Sequence, residues 1–117
     1  MLALVVESNK AAREAIVRHL QTAQYRVEQA ADANGANACL QRERPDVVVL
    51  AWNSAAPGLI QRVRALDTSN HCYVLALLDG QSVSEVPRLY AAGADDFARQ
   101  PVSREELIGR LDAPRRI

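Results

Sequence analysis

The sequence predicts an α/β domain: a five-stranded parallel sheet in the strand order 2-1-3-4-5, with helices on both faces. Three observations carry this expectation. Continuous apolar runs recur at residues 2–6 (LALVV), 47–50 (VVVL) and 73–78 (YVLALL), as in strands covered on both faces. The segments between them place apolar residues near a 3.6-residue period, as helices with one buried face do. The 117 residues, 49% of them apolar, suit a single domain over 1–117 with one core.

Each element follows in order. The first strand, 2–6, is closed by Glu7. The first helix, 10–23, carries Ala12, Ile16, Leu20 and Ala23 on one face, with Ser8 as its cap. Residues 25–30 (YRVEQA) alternate apolar and polar, as at a sheet edge. An alanine-rich helix covers about 33–43. Pro45-Asp46 then turns the chain into the third strand, which ends at Ala51. Leu59, Ile60, Val63 and Leu66 make one face of a third helix at 59–66. The fourth strand is 73–78. A helix at 84–92 follows, with Ser84 as cap, Pro87 in its first turn and Gly93 just past its end. Residues 95–98 (DDFA) read as a second edge strand. Ser103 and Glu106 form a capping box for the last helix, which runs to about Leu111. Parallel strands need right-handed helical crossovers. Placing the two polar-patterned strands outside gives the order 2-1-3-4-5. The topological switch point then lies between strands 1 and 3, where such sheets hold their sites. The tips there are Glu7-Ser8-Asn9 and Ala51-Trp52-Asn53.

Bulk properties exclude several function classes. Fourteen basic residues balance fourteen acidic ones with no basic stripe, which argues against direct nucleic-acid binding. Arg115 and Arg116 read as a solvated tail. No apolar run approaches the roughly 20 residues of a membrane helix, and no targeting segment is evident, so a soluble cytoplasmic protein is expected. Cys39 and Cys72 lack metal or disulfide spacing and read as small buried hydrophobes. His19 reads as a helix surface residue and His71 as a loop residue. Lys10 is the only lysine, and no phosphate-loop or nucleophile-elbow motif occurs. No cofactor and no enzymatic activity are expected. The chain ends soon after the fifth helix, which fits a whole small protein or the front domain of a longer one.

The stretches LVVESN, ERPDVVVLAWN, AAGADDFARQP and SREEL, in this order and spacing, resemble the response-regulator receiver family. The resemblance covers nearly the whole chain and implies the flavodoxin-like receiver fold. It also implies a reactive set at the strand tips, from which this chain departs. The family's acidic pair after strand 1 is here Glu7 and Ser8. Its phosphoaccepting Asp is here Ala51. Asn53 stands where a backbone carbonyl helps hold Mg²⁺. The Ser or Thr ending strand 4 is here Leu78, the switching aromatic is Phe97, and the Lys before the strand 5 proline is Gln100. A cis Gln100-Pro101 bond is implied as well. The resemblance is thus to a degenerate receiver, or pseudo-receiver.

The departures have a shared physical sense. An acyl phosphate needs a carboxylate nucleophile, and the methyl of Ala51 cannot serve. Mg²⁺ wants several oxygens, of which Glu7 supplies the remaining charge. Leu78 lacks the hydroxyl that would follow a phosphoryl group, and Gln100 lacks the ammonium that would neutralise it. An apolar Leu78 beside Ala51 is expected to pack well. Among other oxygen-bearing residues, Asp46 belongs at the opposite rim and Asp79 reads as a solvated loop residue. Ser54 offers only a hydroxyl. Asp95 and Asp96 read as surface residues or a turn cap, and Trp52 as packing beside the pocket.

What remains is a binding surface. The resemblance implies a face made of helix 4, strand 5 and helix 5, drawing on Val86, Leu89, Tyr90, Phe97 and Arg99, with Arg104, Ile108 and Leu111 behind. Val86 or Leu89, Tyr90 and Arg99 are the expected exposed members. The partner would be a signalling protein, an attached output domain or a second copy. Three functions stand in this order: a phosphorylation-independent protein–protein interaction module in two-component-type signalling, a receiver using a non-standard acceptor, and a small-ligand sensor using the vacated pocket.

Overall fold

The computed structural model describes residues 1–67, 71–81 and 83–113. Its elements are β1 (Leu2–Val6), α1 (Lys10–Thr22), β2 (Arg26–Ala30), α2 (Ala33–Arg42), β3 (Val47–Ala51), α3 (Ala56–Leu66), β4 (Tyr73–Leu78), a 3₁₀ turn (Val83–Glu85), α4 (Val86–Ala91), β5 (Asp96–Arg99) and α5 (Arg104–Asp112). The strands form one parallel sheet in the order β2-β1-β3-β4-β5, as the sequence predicts. The reading of Arg115 and Arg116 as a tail falls outside the described residues.

The long apolar runs follow from two core layers. Leu4, Val6, Val48, Leu50, Val74, Ala76 and Leu78 pack with α2, α3 and Leu89 of α4. Ala3, Val5, Val47, Val49, Leu75 and Leu77 pack on the other face with Ile16, Val17 and Leu20 of α1 and Leu107 and Leu111 of α5. Successive residues of a strand point to opposite faces, so a strand covered on both faces must be apolar at every position. Burying each such Leu or Val stabilises the fold by roughly 1.5–3 kcal/mol. Cys39 and Cys72 are both buried and free. Burial, and then Asp67, push the Cys72 thiol up to about 12.

Several local details differ from the sequence reading. Asn9, not Ser8, caps α1: its Oδ1 accepts from Ala12 N at 2.9 Å. The capping oxygen must come from the residue directly before the helix to reach its first free N–H groups. Helix α3 starts at Ala56, with Pro57 in its first turn, ahead of the apolar face that marks it in sequence. Glu85, not Ser84, stands at the cap position of α4 and makes no side-chain cap bond there. Ser84 lies within the 3₁₀ turn. Gly93 takes φ +114° just past α4, and Ser103 Oγ accepts from Glu106 N to cap α5. The Gln100-Pro101 bond is cis.

At the amino-terminal edge of the sheet, Asp46 accepts from Leu2 N at 2.8 Å, on the rim opposite the strand tips. Asp95 is less peripheral than expected. It accepts from Val74 N and Arg64 Nη2, both at 2.8 Å, and from His71. No helix among the described residues is long and apolar enough to cross a membrane.

Candidate functional site

The parallel register places the ends of β1 and β3 side by side, with Val6 opposite Leu50. Beyond them lies a cleft of about 270 Å³. Glu7, Ser8, Ala51 and Asn53 line it, together with Asp32, Ser54 and several alanines. Four of the six pocket residues expected from sequence therefore meet here. Gln100 and Leu78 do not line the cleft.

Glu7 is the chemically notable member. It is a charged residue at 7% exposure. Its Oε1 accepts from Gln100 Nε2 at 2.9 Å, and its Oε2 from Asn9 N at 3.3 Å. Arg13 is near but does not pair with the carboxylate. Its Nη1 donates to the Glu7 carbonyl at 2.8 Å and its Nε to Gln29 at 3.0 Å. A buried carboxylate needs its lone pairs filled, and here two neutral donors fill them. Gln100 thus serves as a hydrogen-bond partner of Glu7 from behind the cleft.

The remaining positions are simple. Ala51 contributes a methyl group. Asn53 is turned onto its own loop: its Oδ1 accepts from Ala55 N at 2.9 Å and its carbonyl from Ala56 N at 3.1 Å. This Asx-type geometry starts α3. Ser8 is exposed at the rim. Leu78 is fully buried, in the layer that also holds Leu50, Trp52 and Phe97. Its β-sheet position is one residue past Leu77, which is the register partner of Ala51. Asp79 is exposed, as a solvated loop residue would be.

Trp52 makes contacts that the sequence did not announce. The residue is 5% exposed. Its Nε1 donates to Glu85 Oε1 at 2.9 Å, and its carbonyl accepts from Gln81 Nε2 at 2.9 Å. The general signal was present, since a buried indole N–H must find an acceptor. Nothing in the sequence said which.

On the α4–β5–α5 side, the expected partner residues divide. Leu89 is fully buried and is corrected to a core residue. A helix of six residues must anchor somewhere, and Leu89 is the one residue α4 buries. Tyr90 is 43% exposed, Arg99 is exposed, and Val86 and Phe97 are half-buried. Tyr90 and Phe97 pack edge to face, with ring centroids 6.3 Å apart at 80°. Arg110 Nη1 binds Asp96 Oδ2 at 2.9 Å beside them. Burial and then Asp96 raise the Tyr90 hydroxyl pKa. Leu111 is buried and Ile108 half-buried. Val83 is a strongly exposed apolar residue next to this face that sequence reasoning passed over.

Comparison with known proteins agrees with this geometry. Residues 3–112 match the response regulator receiver domain. The response regulator MprA of Mycolicibacterium vanbaalenii is 36% identical over 111 residues, 94% of this chain and 48% of that protein. MprA of Mycobacterium leprae is 35% identical over 114 residues, 97% of this chain and 50% of that protein. The chain spans about half the length of these curated relatives. The chemotaxis protein CheY4 of Vibrio cholerae superposes with a TM-score of 0.86 at 27% identity, over 96% of both chains. Strand order, cleft position and these matches lead to one assignment: the chain belongs to the response regulator receiver domain family of two-component signalling.

Proposed function

We propose that this receiver is a pseudo-receiver: a phosphorylation-independent protein–protein interaction module in two-component-type signalling, without enzymatic activity of its own. The observation that supports this most directly is Ala51 at the tip of β3, on the cleft, where a carboxylate nucleophile would have to stand. Phosphoryl transfer to a receiver needs an oxygen at that point, and a methyl group has none. Neighbouring groups do not make up the loss. Glu7 is buried and bonded to Gln100 and Asn9, so it presents poorly to an in-line phosphoryl donor.

The donor set also fits Mg²⁺ badly. A hard divalent cation needs near-octahedral oxygen coordination, usually with more than one charged ligand. At the two tips Glu7 is the single carboxylate and Ala51 supplies nothing; Asp32, which also lines the cleft, is engaged as the cap of α2, its Oδ1 accepting from Gly35 N at 2.8 Å. No step through a metal follows.

The working surface in this reading is the α4–β5–α5 face, with Tyr90, Arg99, Phe97 and Val86. Its occupant is a protein: a signalling partner, a second copy, or an output domain carried on the same polypeptide, as the greater length of the relatives suggests. The balanced charge speaks against nucleic acid as the direct partner, and the expected setting is the cytoplasm. The test is incubation with acetyl phosphate followed by intact mass measurement and amide spectra. Expected is no phosphoryl adduct and no shift around Ala51. An adduct on any carboxylate would mean an unusual acceptor and would overturn the proposal. The cleft of about 270 Å³ favours one second reading, a small-ligand sensor. Amide shifts confined to Glu7, Ser8 and Asn53 on screening small polar metabolites would support it.

A further inference from the structure

A second cavity lies where α2 and α3 end and β3 and β4 begin, on the rim opposite the cleft. It measures about 120 Å³, and its apolar walls include Leu40, Val63, Leu66 and Cys72. Leu40, Val63 and Cys72 are buried core residues, and Leu66 packs against the same layer. Burial keeps Cys72 a neutral thiol, so it serves as a soft apolar wall. Protein interiors are close-packed, and voids larger than a water molecule are few per domain. An apolar cavity of roughly 150 Å³ is enough to hold benzene, so this one has room for about one small ring.

Three charged residues also reach the cavity: Arg44, Asp46 and Asp67. Asp67 is fully engaged. Its Oδ2 accepts from Arg64 Nη1 at 3.0 Å and its Oδ1 from Cys72 N at 3.2 Å. Asp46 gives Oδ2 to Leu2 N at 2.8 Å, and its Oδ1 accepts no hydrogen bond among the described residues. Arg44 makes no hydrogen bond or ion pair among the described residues, with Asp46 or with any other. The cavity thus sets one uncommitted donor group and one uncommitted acceptor beside an apolar wall. Ligand sites of this kind combine apolar lining with a few polar groups that fix orientation.

We propose that this cavity is a binding site for a small phenolic molecule. The ring fills the space among Leu40, Val63, Leu66 and Cys72. The hydroxyl accepts from the Arg44 guanidinium and donates to the Asp46 carboxylate, since a hydroxyl is donor and acceptor at once. A phenolic hydroxyl, with a pKa of about 10, stays neutral near neutral pH. Benzene would leave both charged groups unserved. Benzoate would set a full anion beside Asp46 and Asp67, with Arg44 the one uncommitted cation. None of these residues lines the cleft at Ala51, so the inference stands apart from whether that position is chemically silent.

Amide spectra of the full chain, recorded while phenol, benzene or benzoate is added, test the proposal in the parent and in Arg44→Met. Arg44 is exposed, so its replacement should leave the fold intact. Phenol should give saturable shifts, in roughly the millimolar range for so small a ligand, at Leu40, Asp46, Val63 and Cys72. Glu7, Ala51 and Tyr90 should not respond. Phenol should bind about tenfold more tightly than benzene or benzoate, the gain expected of a hydrogen bond to a charged group. In Arg44→Met its advantage over benzene should shrink to about threefold or less, with Asp46 still accepting. Shifts that do not saturate or that centre on the cleft would overturn the assignment. So would benzene or benzoate binding as tightly as phenol, or a preference for phenol that survives Arg44→Met intact.

Discussion

Replacing Arg64 by methionine removes a guanidinium that uses every donor it has. Nε and Nη2 donate to Gly93 O at 3.0 and 2.7 Å. Nη2 also donates to Asp95 Oδ2 at 2.8 Å, and Nη1 to Asp67 Oδ2 at 3.0 Å and Cys72 O at 2.6 Å. One side chain of α3 thereby ties the turn after α4, the start of β5 and the entry to β4. A net value of about 1 kcal/mol per bond gives an upper figure near 5 kcal/mol. Two corrections lower it. The side chain is 22% exposed, so water can reach some of the abandoned oxygens, and ordering an arginine costs about 2 kcal/mol that the methionine variant partly recovers. The expected loss is about 3 kcal/mol, or a fall in Tm of roughly 10 °C for a domain this size. Arg64→Lys provides a graded control. An ammonium has three donors and no planar fork, so it should recover about half of the loss. Urea unfolding with a shared slope m measures both. A loss under about 1 kcal/mol in Arg64→Met, or a lysine variant no better than methionine, would refute the five-bond account.

Other outcomes follow from the same contacts. Gly93→Ala should cost about 2 kcal/mol or more, because φ is +114° and a new Cβ would sit 3.2 Å from Ile60 Cγ2 and 3.3 Å from Arg64 Cγ; urea midpoints check it. Stability should fall on the alkaline side. Cys72 and Tyr73 both titrate near 12 in the fold, above their ordinary 9.0 and 10.0, chiefly through burial. Groups raised in this way contribute fully below the unfolded value and lose that contribution as pH climbs toward 12. A drop of about 2–3 kcal/mol between pH 9 and 11 is expected, at about 1.4 kcal/mol per unit for the buried thiol. Cys72→Ala should flatten most of that slope, and a parent curve flat to pH 11 would contradict it. Ala51→Asp should lower stability by about 1–2 kcal/mol, because it adds a carboxylate to the cleft that Glu7 already lines, with no cation to offset it. It should remain unlabelled by acetyl phosphate, since Ser8, Leu78 and Gln100 are unchanged.

The parts legible in the sequence were those set by local chemistry. Residues 2–6 and 73–78 match β1 and β4 because strands buried on both faces leave no polar position to blur them. The start of α3 was missed because SAAPG holds no large apolar residue, and helix there rests on Asn53 and Pro57 instead. Leu89 was misplaced for a related reason. With Val86, Leu89 and Tyr90 on so short a helix, periodicity cannot say which residue faces inward. The candidate site divides the same way. Ala51 could be placed by strand register alone. The bond between Glu7 and Gln100 spans 93 positions and depends on how the loops after β1 and β5 meet. Arg64 and Glu85 had no signature in the sequence, since a lone charge gives no sign of a distant partner.

The Glu7–Gln100 pair bears on why the cleft holds together without a reactive set. A carboxylate at 7% exposure is expensive to bury unless donors fill its lone pairs. A lysine at position 100 would fill them with charge and would draw further anions to the same spot. An amide fills one of them without leaving a net positive charge, and Asn9 N serves the other oxygen. The arrangement is therefore satisfied as it stands and needs no incoming ion to complete it. Substituting Gln100 by lysine in the present background would test this. With Ala51 inert, the added ammonium has only Glu7 to pair with. The variant should gain stability from that ion pair while gaining no phosphoryl acceptance, which separates what the residue does for the fold from what it would do for the chemistry.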